Sequence, residues 1–332
     1  MSIPFLPLPS GSATCTVHPL VNSTLTIPEP FVLTPYSSVT AAYRVPAFCF
    51  LVTHQPSGKK LMYDLGVRGD WKVAYPTAIM QMARDLWRAD AQIETADLLR
   101  QGGVDPETVD AVVLSHFHWD HTGNISHFPG SALIGGPGTL GGGEAGGFRG
   151  DIVEQVEQAR RKTSPIDFEK DVTAPVGSFE KAVDYFGDGS VWIVQTAGHT
   201  MGHVSLLVRV TASPATWVLL GGDTAHHPSL LCPCSVHSHL SISTTFRRPS
   251  DGPTGPIRTM HLRPELAADA IERTKRMEQE EEVMVLVAHD YLYWREWEKQ
   301  GGILWPGRGI TQWRKEGLKR HREYEPEGYE HS

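Results

Sequence analysis

The stretch Leu114-Ser115-His116-Phe117-His118-Trp119-Asp120-His121 decides the reading of this chain. It follows the apolar run Ala111-Val112-Val113-Leu114, which has the composition of a short strand buried on both faces. Three imidazoles and one carboxylate within six positions are costly to bury unless they share a cation. In extended backbone alternate residues share a face, so His116 and His118 can reach one metal. Asp120 and His121 then turn toward a second position. Imidazole and carboxylate are zinc-type donors, whereas a structural zinc site more often uses cysteine.

More donors lie in the same kind of place further along. His199 stands in Ala197-Gly198-His199-Thr200-Met201-Gly202-His203, directly after an expected strand over 190–196. Asp223 ends Leu219-Leu220-Gly221-Gly222-Asp223, and His289 follows the apolar run 283–288. Each sits at the C-terminal end of a buried strand, where α/β folds place their chemistry.

Outward from these points the chain reads as one α/β domain over 1–332, with its core over about 48–297. Strands are expected at 48–53 and 60–66, joined as a hairpin, and at 110–115, 190–196, 204–210, 216–220 and 283–288. Helical spacing covers 77–88, 93–101, 151–161 and 265–282. Residues 1–45, rich in Pro, Ser and Thr, read as an irregular lead-in with short strands. The proline-rich segment 224–260 reads as an irregular insertion, and 305–332 as an aromatic and charged tail.

Composition limits the partners. The chain has 332 residues, with 16 His against 4 Cys, and a formal net charge of −8. Metal chemistry must therefore rest on histidine, and the acidic balance argues against nucleic acid. No apolar run reaches the length of a membrane span, so no membrane partner is expected. Four cysteines do not make a disulfide scaffold, and no signal peptide is legible, so a reducing cytoplasm is the expected location.

The pattern resembles the metallo-β-lactamase superfamily, from about Phe48 to Trp297. Asp64 in Tyr63-Asp64-Leu65-Gly66 matches its first motif. His116, His118, Asp120 and His121 match the second, and His199, Asp223 and His289 match the next three. The lactonase branch, which includes acyl-homoserine lactonases, is the nearest likeness. The resemblance implies a four-layer αβ/βα sandwich, of the α/β (α+β) class, with two mixed sheets face to face. It implies two zinc ions, with iron or manganese as alternatives. His116, His118 and His199 would hold the first, Asp120, His121 and His289 the second, and Asp223 would bridge them. Asp64 would support the ligands from behind, and Asp120 would also serve catalysis by orienting a metal-bridging hydroxide or passing a proton.

The implied activity is opening of a small cyclic ester or amide, lactones first and lactams second. A thioesterase, of the glyoxalase II or polyketide carrier-protein type, is the alternative. A binding protein that kept the fold without catalysis is a more distant one. In lactonases of this type a Tyr commonly follows the bridging Asp. Here Thr224-Ala225-His226-His227 follows, leaving His226 or His227 for that role, and His203 beside the ligands as a further pocket candidate.

Other features read as structural. Gly136-Pro137-Gly138-Thr139-Leu140-Gly141 matches the dinucleotide pattern formally, but no helix start follows and the stretch reads as a mobile loop. Cys232-Pro233-Cys234, with His237 and His239 nearby, reads as a solvated loop. Trp119 reads as packing under its loop. The basic runs at 160–162 and 314–322 read as solvated faces.

Overall fold

A computed structural model describes residues 3–91, 93–141, 152–159, 163–247, 252 and 254–319. Part of the glycine-dense loop, the basic run at 160–162 and the last part of the tail, 320–332, lie outside these residues.

Two β-sheets carry the fold. The first orders its strands Asp90–Ala91, Cys15–Pro28, Ala42–His54, Lys60–Tyr63, Ala111–Leu114, Ala132–Gly135 and Thr163–Pro165. The second runs Val283–Leu286, Ala215–Leu220, Val204–Ala212, Val191–Gln195, Phe179–Asp184 and Ala174–Val176. Both are mixed: the expected hairpin pairs Phe50 with Tyr63 antiparallel, whereas Lys60–Tyr63 pairs with Ala111–Leu114 parallel.

The period of two along each strand explains the layers. Phe48, Phe50 and Val52 point inward, where they share a core with Ile193, Leu206, Val208 and Leu220 of the other sheet. Cys49 and Leu51 point outward and pack with Ala96 and Leu99 of helix Thr95–Gln101. On the far side Leu207, Leu219 and Val285 meet Ala267, Ile271 and Met277 of helix Pro264–Glu278. This helix–sheet–sheet–helix stack is the four-layer sandwich that the resemblance implies. Strands covered on both faces need apolar residues at every position, which is why these runs do not alternate with polar ones.

The lead-in differs from expectation. Residues Cys15–Pro28 form a 14-residue strand paired along Ala42–His54. Thr is a good strand former, and a register shift between Val21 and Thr24 breaks the alternation that would have revealed the strand. The outer edge of that strand is covered by the chain's end, with Trp305 and Ile310 donating to the Pro19 and Val17 carbonyls. The insertion is also anchored: Ser241–Ile242 pairs with Leu33–Thr34, and Leu230, Leu231, Ile242 and Phe246 join the core. Among the described residues no helix is long and apolar enough to cross a membrane.

Candidate metal centre

The ends of four strands, one in the first sheet and three in the second, bring the named histidines and aspartates together. His116 and His118 follow Ala111–Leu114, and His121 lies in the one-turn helix Trp119–Thr122. Glycines allow two of the later arrivals. Gly198 holds a φ of +142°, and a Cβ there would lie 2.1 Å from the Ala267 backbone nitrogen, so only glycine lets His199 pass beneath helix Pro264–Glu278. Gly222, at φ +52°, leaves the space that Ser115, His203 and Tyr63 occupy just before Asp223.

The assigned donor atoms fall into two groups. One ligand atom each from His116, His118, His199 and Asp223 lies within 4.8 Å of the others, and Asp120, His121 and His289 form a second such set; Asp223, His226 and His289 make a further set that overlaps both. Asp223 joins them. Its Oδ2 lies 3.3 Å from His199 Nε2 and 3.6 Å from His116 Nε2, while its Oδ1 lies 3.2 Å from both His121 Nε2 and His289 Nε2. One carboxylate thus offers one oxygen to each group. Asp120 Oδ2 stands 3.6 Å from His289 Nε2.

The atoms behind the site decide which nitrogen carries the proton in His116, His121 and His289. Asp64 Oδ1 accepts from the Ser115 amide at 2.7 Å, and Asp64 Oδ2 accepts from the Ser115 hydroxyl at 2.7 Å. The same Oδ2 lies 2.8 Å from His121 Nδ1, and Ser115 Oγ lies 2.9 Å from His116 Nδ1. The hydroxyl has one hydrogen, which goes to the carboxylate, so His116 Nδ1–H donates to Ser115 and His121 Nδ1–H donates to Asp64. Both Nε2 lone pairs then face the site. His289 Nδ1 does the same through the Pro46 carbonyl at 2.8 Å. This is the arrangement that metal-ligating histidines need.

Charge and burial test the fit of a cation. His116 Nε2, His121 Nε2 and Asp223 Oδ1 are buried with no hydrogen-bond partner among the described residues. Burial would raise the Asp223 carboxyl, yet His121, His226 and His289 hold it well below the usual carboxylate range. Burial would lower His121, but Asp223, Asp64 and Asp120 hold it well above the ordinary imidazole value. His116 is pushed far down, first by burial and then by His121 and His118. The carboxylates around His121 demand positive charge there, while the neutral His116 ring turns an unpaired lone pair to the same space; a divalent cation would meet that demand in place of the His121 proton and free its Nε2 to bind.

The remaining candidates divide. His203 Nε2 accepts the Asp223 amide at 2.9 Å, and its Nδ1 meets Thr196 Oγ1 at 2.8 Å, so it positions the Asp223 backbone. His226 enters the centre, with Nε2 3.0 Å from Asp223 Oδ2. His227 does not. It accepts the Ser229 amide and turns its ring edge toward Tyr43 and Tyr291, because it starts the turn Pro228–Leu231. Trp119 packs against Tyr75, as expected, but also lines the pocket above the aspartates with Leu25, Ile27, Trp87 and Met260.

Two residues were missed. Ser115 stood inside the deciding motif with no role given to it. His261 is buried, with ring centroids 5.3 Å from His199 and 5.5 Å from His226. It comes from the far end of the insertion, next to Met260, and only the abundance of histidine hinted at it.

Residues 42–230 match the Metallo-beta-lactamase superfamily, and the chain belongs to that family. Gamma-lactamase FDB1 of Fusarium pseudograminearum is 30% identical over 320 residues, covering 85% of this chain and 76% of that protein. Three further relatives are longer, and the match spans 35% of each. Among solved structures, a quorum-quenching N-acyl homoserine lactone lactonase superposes with a TM-score of 0.58 at 16% identity, covering 91% of this chain and 99% of that one. AidC, a dizinc quorum-quenching lactonase in complex with a product, gives 0.53 at 12% identity, covering 86% and 90%. These two likenesses concern the fold. The chain is a metal-dependent hydrolase of this superfamily.

Proposed function

We propose that the chain opens a small cyclic ester or amide at a pair of divalent metal ions, zinc first, with iron or manganese as alternatives. The split carboxylate of Asp223, one oxygen toward each histidine group, is the observation that carries this reading. His116, His118 and His199 would hold one ion, Asp120, His121 and His289 the other, and Asp223 would bridge. When bound, such a pair supplies an activated water and an electrophile for the carbonyl.

The chain's own groups do the rest. Asp64 and Ser115 keep two imidazoles in the ligating tautomer. Asp120, whose carboxyl burial pushes up, stands at the pocket floor where it can hold or pass the proton that the leaving oxygen or nitrogen needs. His226 also lines that floor and offers a second hydrogen-bonding group to the ring being opened. Trp87, Trp119, Met260, Leu25 and Ile27 form apolar walls that exclude water and suit a compact substrate.

The gamma-lactamase relative supports the ring-opening reading. The test is a turnover panel of lactones, lactams, thioesters and phosphodiesters with metal-loaded protein, alongside metal analysis. The expected result is about two ions per chain and preference for a lactone or lactam. Preference for thioesters would transfer the assignment to the thioesterase reading. A chain purified without chelator that holds no metal would overturn both.

A further inference from the structure

The insertion carries a second cluster of metal-type donors, apart from the centre described above. Cys232 Sγ, Cys234 Sγ and His237 Nδ1 all lie within 4.8 Å of one another. The segment is a loop with exposed residues, as expected, but its donors are not solvated: Cys232 and His237 are buried and Cys234 is half-buried. The buried turn Pro228–Leu231 roots the segment in the core, and Cys232 and His237 stay covered although Pro233, Ser235 and Val236 between them are exposed. Successive turns hold it in shape. Cys232 N–H donates to the Ser229 carbonyl, Ser238 N–H to Ser235 and Leu240 N–H to His237.

We propose that Cys232, Cys234 and His237, with both cysteines reduced, form a separate site for one thiophilic cation, zinc or cuprous copper. The distances suit it. Cys234 Sγ lies 3.4 Å from His237 Nδ1. A tetrahedral ion with a metal–sulfur bond of about 2.3 Å and a metal–nitrogen bond of about 2.05 Å separates those atoms by about 3.5 Å. The two cysteines, with Cα atoms 5.2 Å apart, are joined as a disulfide in this structure. Side-chain rotation opens the sulfurs to the roughly 3.8 Å that two thiolates on one ion require. A dithiol supplies the two electrons and two protons that convert the disulfide to two thiols, becoming a disulfide itself. The cation then displaces the two thiol protons, and the exposed side of Cys234 leaves the fourth position to water.

Sulfur separates this site from the histidine–aspartate centre, which has no thiolate donor. Soft donors select zinc and cuprous ions, whereas imidazole and carboxylate also accept iron and manganese. The remaining cysteines do not compete: Cys15 and Cys49 are buried in two different core clusters.

The test uses the full chain, reduced with a dithiol, freed of reductant without air and loaded with cobalt(II). The expected result is a near-ultraviolet thiolate-to-cobalt charge-transfer band and one more ion per chain than Cys234→Ser binds. The band disappears in Cys234→Ser and needs more than about tenfold higher cobalt in His237→Ala, since even loss of a group behind a ligand costs that much. Asp223→Asn retains the band, which separates this site from the hydrolytic one. Absence of the band in chain with four titratable thiols overturns the proposal. So does a Cys232–Cys234 bond that withstands the dithiol in the folded protein.

Discussion

Asp64→Asn tests whether the chain holds its metal ligands by fixing their tautomers. Asp64 has a left-handed backbone with φ of 58°, a conformation that Asn also adopts readily, so the exchange leaves the backbone in place. The amide can sit only one way round. Its oxygen must face the Ser115 N–H, 2.7 Å from Oδ1, because an NH₂ group there would set donor against donor. The NH₂ group therefore replaces Oδ2 and points its two hydrogens at Ser115 Oγ and His121 Nδ1. Each partner must now accept. His121 moves its proton to Nε2, and the Ser115 hydroxyl turns to donate to His116 Nδ1, which moves that proton to Nε2 as well. Both ligating lone pairs are lost unless the ions pay to restore them.

Loss of such an outer partner typically costs 10–100-fold in metal affinity, or about 1.4–2.7 kcal/mol. The effect falls on both ions, because His116 and His121 belong to different donor groups. Competition against a chromophoric chelator measures the two successive binding constants. Calorimetric melting of the metal-free variant separates this from misfolding. Ser115→Ala, which removes the acceptor of His116 and a donor to Asp64 but leaves the Asp64–His121 bond, should weaken one constant more than the other. If Asp64→Asn bound both ions within about threefold of the parent, the tautomer argument would be wrong, since even the low end of the expected loss exceeds that.

Other expectations are as direct. Asp223→Ala removes an oxygen from both donor groups, so it should lower metal content and abolish turnover while the two-sheet core survives, as circular dichroism would show. Near-normal turnover would refute the bridging assignment. Gly198→Ala places a methyl group against the Ala267 backbone at a φ that side chains rarely adopt, and should cost roughly 1–3 kcal/mol or more in denaturant unfolding. An unchanged midpoint would show that helix Pro264–Glu278 yields freely. Burial, aided by His237, pushes the His227 imidazole down to about 3 from 6.5. The unfolded chain then binds a proton first, so this residue's contribution is whole above about pH 6.5 and is lost as pH falls toward 3. His227→Asn keeps an acceptor for Ser229 and should move the acid-unfolding midpoint of metal-free protein to lower pH; an unmoved midpoint would rule His227 out as a determinant of acid sensitivity.

Much of this protein was legible before any coordinates. The runs at 111–114, 217–220 and 283–286 are apolar at every position because both faces of each strand are covered, and that composition is local. The donors directly after them are local too, so the motif from His116 to His121 and the positions of His199, Asp223 and His289 could be read one strand at a time. The strand Cys15–Pro28 could not, because its bulge breaks the alternation and its pairing partner lies elsewhere in the chain.

What the sequence determined by itself was the donor inventory and its attachment to strand ends. It could not say that His226 faces Asp223 while the adjacent His227 faces Tyr43, since neighbouring residues differ only in where the backbone turns them. It could not join His261 to His199, or Asp64 to His121 across 57 positions, because those meetings depend on how the sheets and the insertion pack. The tertiary structure decided the split of the Asp223 oxygens, the protonated nitrogen of His116, His121 and His289, and the burial of Cys232 and His237. Each is a relation between side chains brought from distant parts of the chain, and only the packed fold sets distances of that kind.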